Sequence, residues 1–341
     1  MKTVITGIGM ISALGDDKDM VWAALEAGKP AARQREALPL NVSLPPAKLR
    51  RMNRYAKLCL GASVRALQDT GAEREEDDFS IGTIFSTGYR GITSNLKFCH
   101  EVAQGNPDLC SPTEFTRTVP NACVGQTCIL LKLKGVSTML TAGNPIAYSK
   151  LLLSRGKAHG ILTGSLDEFH DELFSLIENA SAGMKAPLYE GAGVVYLTCG
   201  ENSEPAYCSV EGSGISSLGQ YPVLEKLDEN AGELIEQALS QCVQDEIPEA
   251  VLMCDNGTSF DAAEAETVCR RFPNSIAVSG LKSMLGETLG ASFALSICIG
   301  ALCLKKGRLP KGLSRKEEKI SSILVTGLDT AGNYMCMLLK R

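Results

Sequence analysis

Thirteen cysteines and three histidines set the range of chemistry open to this chain of 341 residues. A thiolate is a nucleophile, and histidine is the side chain best suited to moving a proton near neutral pH. The cysteines are scattered, with no CxxC pair, and several sit in apolar runs such as Ser296-Ile297-Cys298-Ile299 and Met335-Cys336-Met337. Cysteine serves there as a small hydrophobe. No clustering of thiols and imidazoles has the spacing of a zinc site, so no metal ligands are assigned. An odd, unpatterned cysteine count fits a reducing cytoplasm better than a disulfide frame. His100, His159 and His170 are read as surface or structural residues. Cys254 ends an apolar strand two residues before Asn256, and strand alternation can turn it inward. Its plainer reading is a buried small hydrophobe. Gly7-Ile8-Gly9 is half of a dinucleotide fingerprint, but Ser12 stands where the third glycine would fall, so no cofactor is expected.

Short apolar runs alternate with longer helical patterns along the whole chain, which predicts an α/β fold. Strands are expected at 2–7, 79–86, 137–141, 159–163 and 193–198, with helices at 17–27, 54–71, 125–133 and 146–155. Residues 199–205 are polar and loop-like and divide the chain. Beyond them, strands are expected at 207–214, 250–254, 322–327 and 334–339, and helices at 231–242, 264–271 and 288–305. The expected organisation is two α/β halves of similar pattern, 1–203 and 204–341. The longest apolar run, 289–304, is short for a membrane span and contains Gly290 and Gly300. It is read as a buried core helix. Residues 4–11 are interrupted by Gly7 and Gly9, lack a small-residue cleavage pattern, and are not read as a signal peptide. A formal net charge of −5 gives none of the bulk basicity of a nucleic-acid binder.

Five marks fall in order along the chain. They are Val4-Ile5-Thr6-Gly7-Ile8-Gly9-Met10-Ile11-Ser12; Arg51-Met52-Asn53-Arg54-Tyr55-Ala56; Pro120-Asn121 with Gly125-Gln126 and Leu133-Lys134-Gly135; Glu190-Gly191-Ala192-Gly193; and Leu281-Lys282-Ser283-Met284-Leu285-Gly286. In these marks the chain resembles the β-ketoacyl-acyl-carrier-protein synthases from end to end. The resemblance implies the thiolase fold, two similar α/β halves in a layered αβαβα arrangement. It also implies a chemistry. A cysteine at a helix start takes an acyl chain as a thioester, and two histidines support decarboxylation of malonyl carrier protein.

At all three positions the sequence departs from that pattern. The nucleophile motif, Thr-Ala-Cys-Ala-Ser-Gly in the family, stands here as Thr141-Ala142-Gly143-Asn144-Pro145, with Gly143 in the place of the cysteine. The count onward to Arg155-Gly156-Lys157-Ala158 is about one helical turn short, and Pro145 suits a rebuilt first turn. The two histidine motifs stand as Asn256-Gly257-Thr258 and Gly286-Glu287-Thr288-Leu289-Gly290. Asn256 cannot act as an acid or base, and an anionic Glu287 would oppose enolate formation. Lys282 keeps the family's lysine position, and Glu264 is expected as its acidic partner in a structural pair. The family's phenylalanine gate becomes Gly327-Leu328-Asp329-Thr330-Ala331-Gly332, with Asp329 in the place of the phenylalanine.

No catalytic residue is therefore expected. The resemblance implies a non-catalytic, cytoplasmic subunit of the chain-length-factor type. Its partner would be a cysteine-bearing ketosynthase homologue of type II polyketide, polyene or fatty-acid-like biosynthesis, whose acyl tunnel it would bound. The pairing surface would be the strand 137–141 and the segment 121–132, with Ala122, Cys123, Val124, Ile129, Leu130 and Leu131 as its apolar run. Acyl carrier protein is the other expected partner, and in a chain of this charge it would need a local basic patch. Two other readings are a stand-alone homodimer that binds an acyl chain or carrier protein, and a divergent enzyme that uses Cys254.

Overall fold

The computed structural model describes residues 2–32, 36–42, 44–71, 79–105, 110–181, 184–200, 207–221, 223, 230–244, 246–255, 257–316 and 318–341. Strands β1 (Thr3–Ile11), β2 (Ile81–Thr87), β3 (Ser137–Thr141), β4 (Gly160–Asp167) and β5 (Gly191–Cys199) form a first half. The second half is β6 (Cys208–Ser217), β7 (Ala250–Leu252), β8 (Ile276–Val278), β9 (Ser322–Leu328) and β10 (Asn333–Lys340). Hydrogen bonding runs β3-β2-β4-β5-β1-β6-β10-β9-β7-β8. Each half repeats one order, third, second, fourth, fifth, first, and the two first strands meet in the middle. In each half three strands are parallel, and the last strand runs against its neighbours.

The helices are α1 (Lys18–Glu26), α2 (Pro46–Leu49), α3 (Arg54–Asp69), α4 (Ile92–Ala103), α5 (Pro112–Arg117), α6 (Ala122–Leu131), α7 (Pro145–Ser154), α8 (Asp171–Ala180), α9 (Ala231–Cys242), α10 (Phe260–Arg271), α11 (Leu281–Leu285) and α12 (Ser292–Lys306). α12 is buried from Ser292 to Leu304 and touches β5 on one side and β9 on the other. A helix with no polar face must lie inside, and here it lies between the halves with α7. Helices α3 and α6 cover the first half from outside, and α9 and α10 the second. The result is the expected αβαβα layering. The run Leu289–Lys306 is long and apolar enough to cross a membrane, yet it is largely buried in this core.

The repeat extends to the packing of single glycines. A Cβ on Gly7 or Gly9 of β1 would lie 2.2 or 2.0 Å from the carbonyl oxygens of Ala66 and Ala62 on α3. A Cβ on Gly212 or Gly214 of β6 would lie 2.0 or 1.9 Å from those of Cys242 and Ala238 on α9. Gly7-Ile8-Gly9 is thus a close-packing device, used once in each half.

The expected α/β alternation holds, and β3 and α9 have the expected bounds. β1 runs on to Ile11, because its glycines pack against α3 instead of ending the strand. Residues 289–291 form a 3₁₀ turn ahead of α12. The divide at 203/204 lies outside the described residues.

Two of the sequence marks meet in space. Glu190, buried, accepts hydrogen bonds from Leu38 N (2.6 Å), Phe169 N (3.0 Å) and Arg54 Nε (3.1 Å), and is ion-paired with Arg54 Nη2. Arg54 is the residue at which α3 begins, behind the Asn53 cap. Removing the guanidinium leaves a buried charge without its partner. Arg54→Ala should lower the unfolding free energy by about 3 kcal/mol in guanidinium titrations. A loss below about 1 kcal/mol would mean that the pair behaves as a surface one.

Candidate functional site

The expected site residues other than Asn256 come together where parallel strands of both halves end. β2, β3 and β4 lead into Gly88, Gly143 and Asp167, and β7 and β9 lead toward Asp255 and Asp329. Carboxyl ends of parallel strands are where α/β sheets usually present their chemistry. The elbow after β3 is tight. Ala142 (φ +73°) and Gly143 (φ +87°) both adopt the left-handed region, which is unfavourable for alanine. Asn144 then caps α7, its Oδ1 accepting from Ala147 N at 3.0 Å, and Pro145 fills the first helical position as expected.

Gly143 carries no side chain, and a Cβ built there would meet nothing within 4 Å. Its N–H donates to Asp329 Oδ2 at 2.7 Å. That oxygen also accepts from Asn333 Nδ2 (2.8 Å), and Oδ1 accepts from Ala331 N (2.9 Å) and Asn333 N (3.0 Å). Asp329 is buried. An N–H at the start of a helix is a good donor to a developing oxyanion, and here an internal carboxylate occupies it.

Lys282 and Glu287 form a buried ion pair, Nζ to Oε2 at 2.5 Å. The other oxygen of Glu287 accepts from Leu289 N (2.7 Å) and Ser292 Oγ (2.6 Å). Burial alone would push Lys282 down, but the negative charge beside it, with the Glu287 carboxylate in direct contact, outweighs this, and the net direction is up. Cys254 Sγ lies 3.6 Å from Lys282 Nζ. Burial pushes this thiol well up despite the lysine, so it stays protonated and weakly nucleophilic.

The pair expected between Lys282 and Glu264 does not form. Glu264 accepts from Thr326 Oγ1 (2.5 Å), Tyr334 OH (2.9 Å) and Cys254 N (3.1 Å). Glu287, a replacement within the motif itself, takes the lysine instead. Asn256 lies outside the described residues.

The model of the β-ketoacyl synthase C-terminal domain matches residues 207–315. The 3-oxoacyl-[acyl-carrier-protein] synthase 2 of Vibrio cholerae serotype O1 is 24% identical over 95% of this chain and 91% of its own length. A β-ketoacyl synthase from Burkholderia phymatum STM815 superposes with TM-score 0.79 at 18% identity, over 100% of this chain and 99% of its own. A chain of the ishigamide ketosynthase/chain length factor superposes with TM-score 0.78 at 21% identity, over 99% of this chain and 98% of its own. Residues 207–315 thus match the β-ketoacyl synthase C-terminal domain, and the whole chain is similar to β-ketoacyl synthases in sequence and fold.

In this ketosynthase homologue one residue of the site escaped sequence reasoning. Asp167 ends the wholly buried β4 and accepts from Thr87 Oγ1 (2.6 Å), Gly88 N (3.1 Å), Tyr89 N (3.0 Å) and, across the halves, Gly290 N (2.8 Å). Burial lifts its carboxyl to about 6 in spite of these donors. The acidic pair Asp167-Glu168 closing an apolar strand was the signal for it. The histidines stay away from the site as read. His100 is in the last turn of α4, His159 is exposed, and His170 caps α8.

Burial likewise lifts Glu264 to about 7, against the hydrogen bonds from Thr326 and Tyr334. A carboxyl whose folded value is raised stabilises the fold at pH values below its unfolded value. That contribution is lost as pH rises from about 4.3 toward 7. Relative to Glu264→Gln, the native chain should therefore lose about 1–3 kcal/mol between pH 4.5 and 7.5, read from urea unfolding at several pH values. A difference that does not change with pH would show that Glu264 titrates normally.

Proposed function

We propose that this ketosynthase homologue is a non-catalytic, cytoplasmic subunit of the chain-length-factor type. It pairs with a cysteine-bearing ketosynthase and bounds the acyl tunnel in type II polyketide, polyene or fatty-acid-like biosynthesis, with acyl carrier protein as the further partner. The observation that carries this reading is the hydrogen bond from Gly143 N to Asp329. At the nucleophile's position there is no thiol, and the amide that would hold an acyl oxyanion is already taken. The neighbour that bears both names, ketosynthase and chain length factor, supports the same reading. The burial of Cys254 tells against a substitute nucleophile.

The chain alone should neither condense acyl and malonyl carrier proteins nor decarboxylate malonyl carrier protein. Gly143→Cys has open space for its Cβ, but at a φ of +87° that strains a side chain, and it gains neither a free oxyanion donor nor a histidine. Its turnover should stay at least roughly 10³-fold below that of an intact ketosynthase, since one lost oxyanion donor alone costs about 10²–10³. Robust condensation by this single variant, or acyl labelling abolished by Cys254→Ala, would overturn the reading.

Partnership is tested separately. β3 lies at the end of the strand order, exposed or half-exposed along its length, and Ile129 on α6 is 77% exposed. Cys123 and Val124, expected in the same interface, instead face α3 and are buried in the chain's own core. Co-expression with a cysteine-bearing ketosynthase encoded nearby should yield a one-to-one complex, and Ile129→Arg should weaken it without unfolding the chain. A homodimer would favour the stand-alone scaffold. A stable monomer at micromolar concentration that captures no ketosynthase would sink the heterodimer.

A further inference from the structure

β7 and β9, which lead toward the site at their carboxyl ends, border a basic cavity at their opposite ends. Its volume is about 690 Å³, within the range of small-molecule pockets. Lys306, Arg308, Lys311, Lys316, Lys319 and Arg341 line it, with Leu309 and Ile320 as its buried apolar lining. Glu249, just before β7, and Ser321, just before β9, belong to the same wall. The segment 305–319 holds seven basic and two acidic residues in a chain of net charge −5. Of the two acids, Glu317 lies outside the described residues and Glu318 does not line the cavity.

Both carboxylates of the lining are engaged. Glu26 accepts from Arg308 Nη1 (2.9 Å) and Lys311 N (3.3 Å). Glu249 accepts from Ser321 Oγ (3.0 Å) and Ser322 N (3.4 Å), tying β7 to β9. The helix dipole accounts for part of the basicity, because Lys305 and Lys306 sit in the last turn of α12. They also stack over Tyr207 and Trp22, at 4.2 and 5.8 Å. Lys316, Lys319 and Arg341 lie beyond that turn. Among the described residues, no carboxylate is within ion-pair distance of Lys306, Lys316, Lys319 or Arg341. Like charges gathered without counter-charge repel one another, and a bound anion would relieve this. A concave wall with cations on several sides suits a compact polyanion better than a flat protein surface.

We propose that this cavity binds a small molecule bearing two or more phosphate groups. The proposal is independent of the subunit's role in condensation, since the cavity is lined by residues before β7 and β9 and the elbow follows β3. The test is calorimetric titration of the full chain with inorganic pyrophosphate. Saturable binding at one site is expected, weakening as salt is raised. Lys316→Ala/Lys319→Ala/Arg341→Ala should reduce affinity at least about tenfold, through loss of charge-assisted contacts. Arg155→Ala/Lys157→Ala, which removes exposed positive charge elsewhere, should keep the native affinity. Thermal melts of both variants confirm that they are folded. A parallel titration with adenosine diphosphate separates the sources: tighter binding than pyrophosphate assigns a nucleoside diphosphate, and weaker binding a ligand recognised by phosphate alone. No binding of pyrophosphate up to millimolar concentration, an unchanged affinity in the triple variant, or an equal loss in the control pair would overturn the proposal. So would capture of an acidic carrier protein at this face without any binding of pyrophosphate.

Discussion

The burial of α12 on every side is the constraint from which the rest of the architecture follows. A helix whose residues from Ser292 to Leu304 are all shielded needs a sheet on two opposite faces, and one half of the chain cannot supply both. The strands make room for it. A Cβ on Gly193 of β5 would sit 2.5 Å from Leu295 N, and one on Gly327 of β9 would sit 2.4 Å from the Phe293 ring. With α12 fixed between β5 and β9, the turn that enters it must pass the ends of β4 and β9. That is why Gly290 N reaches Asp167 and Glu287 reaches Lys282. The site is thus a consequence of core packing, and it would be assembled whether or not it served catalysis.

The electrostatics of the assembled site favour a structural role. Asp167, Glu264, Glu287 and Asp329 are all buried, and their oxygens take up backbone N–H groups at Gly143, Cys254, Gly290 and Leu289. A buried carboxylate needs such donors, and once it has them they cannot also serve a substrate. Condensation requires an environment that welcomes a new negative charge. Here the donors are committed to the protein's own carboxylates, and the buried Lys282 is committed to Glu287. Breaking any of these contacts to admit an oxyanion would leave a charge unpaired in the core.

The sequence made the layers readable because strand and helix periods alternate and the glycine marks recur in family order. It was poorer wherever tertiary contacts decide. α4, α5 and α8 were not distinguished from loops; α4 and α5 bury few of their residues, so their apolar patterns are weak. β8 is three residues long, too short for a period to appear. At the site, Gly143, Glu287 and Asp329 were legible as substitutions within known motifs. Which carboxylate Lys282 would choose was not legible, because Glu264 and Glu287 are both within reach of the region and only the placement of Thr326 and Tyr334 commits Glu264 elsewhere. Asp167 stayed hidden because two adjacent acids at a strand end carry no spacing that tells which of them turns into the site.

The two halves repeat one another in strand order but not in their outer edges, and this asymmetry bears on partnership. β8 closes one end of the order with three residues, two of them buried, and so short an edge offers little to pair with. β3 closes the other end with five residues, none of them buried. Beside it Ile129 of α6 and Tyr148 and Leu151 of α7 are exposed, at 77%, 38% and 42%. β3 runs directly into the Ala142–Gly143 elbow, and α7 runs directly out of it. The more open of the two edges is therefore continuous with the elbow at Gly143. A second chain added at β3 would touch both elements that frame that elbow, so pairing at this edge and the geometry of the elbow are coupled.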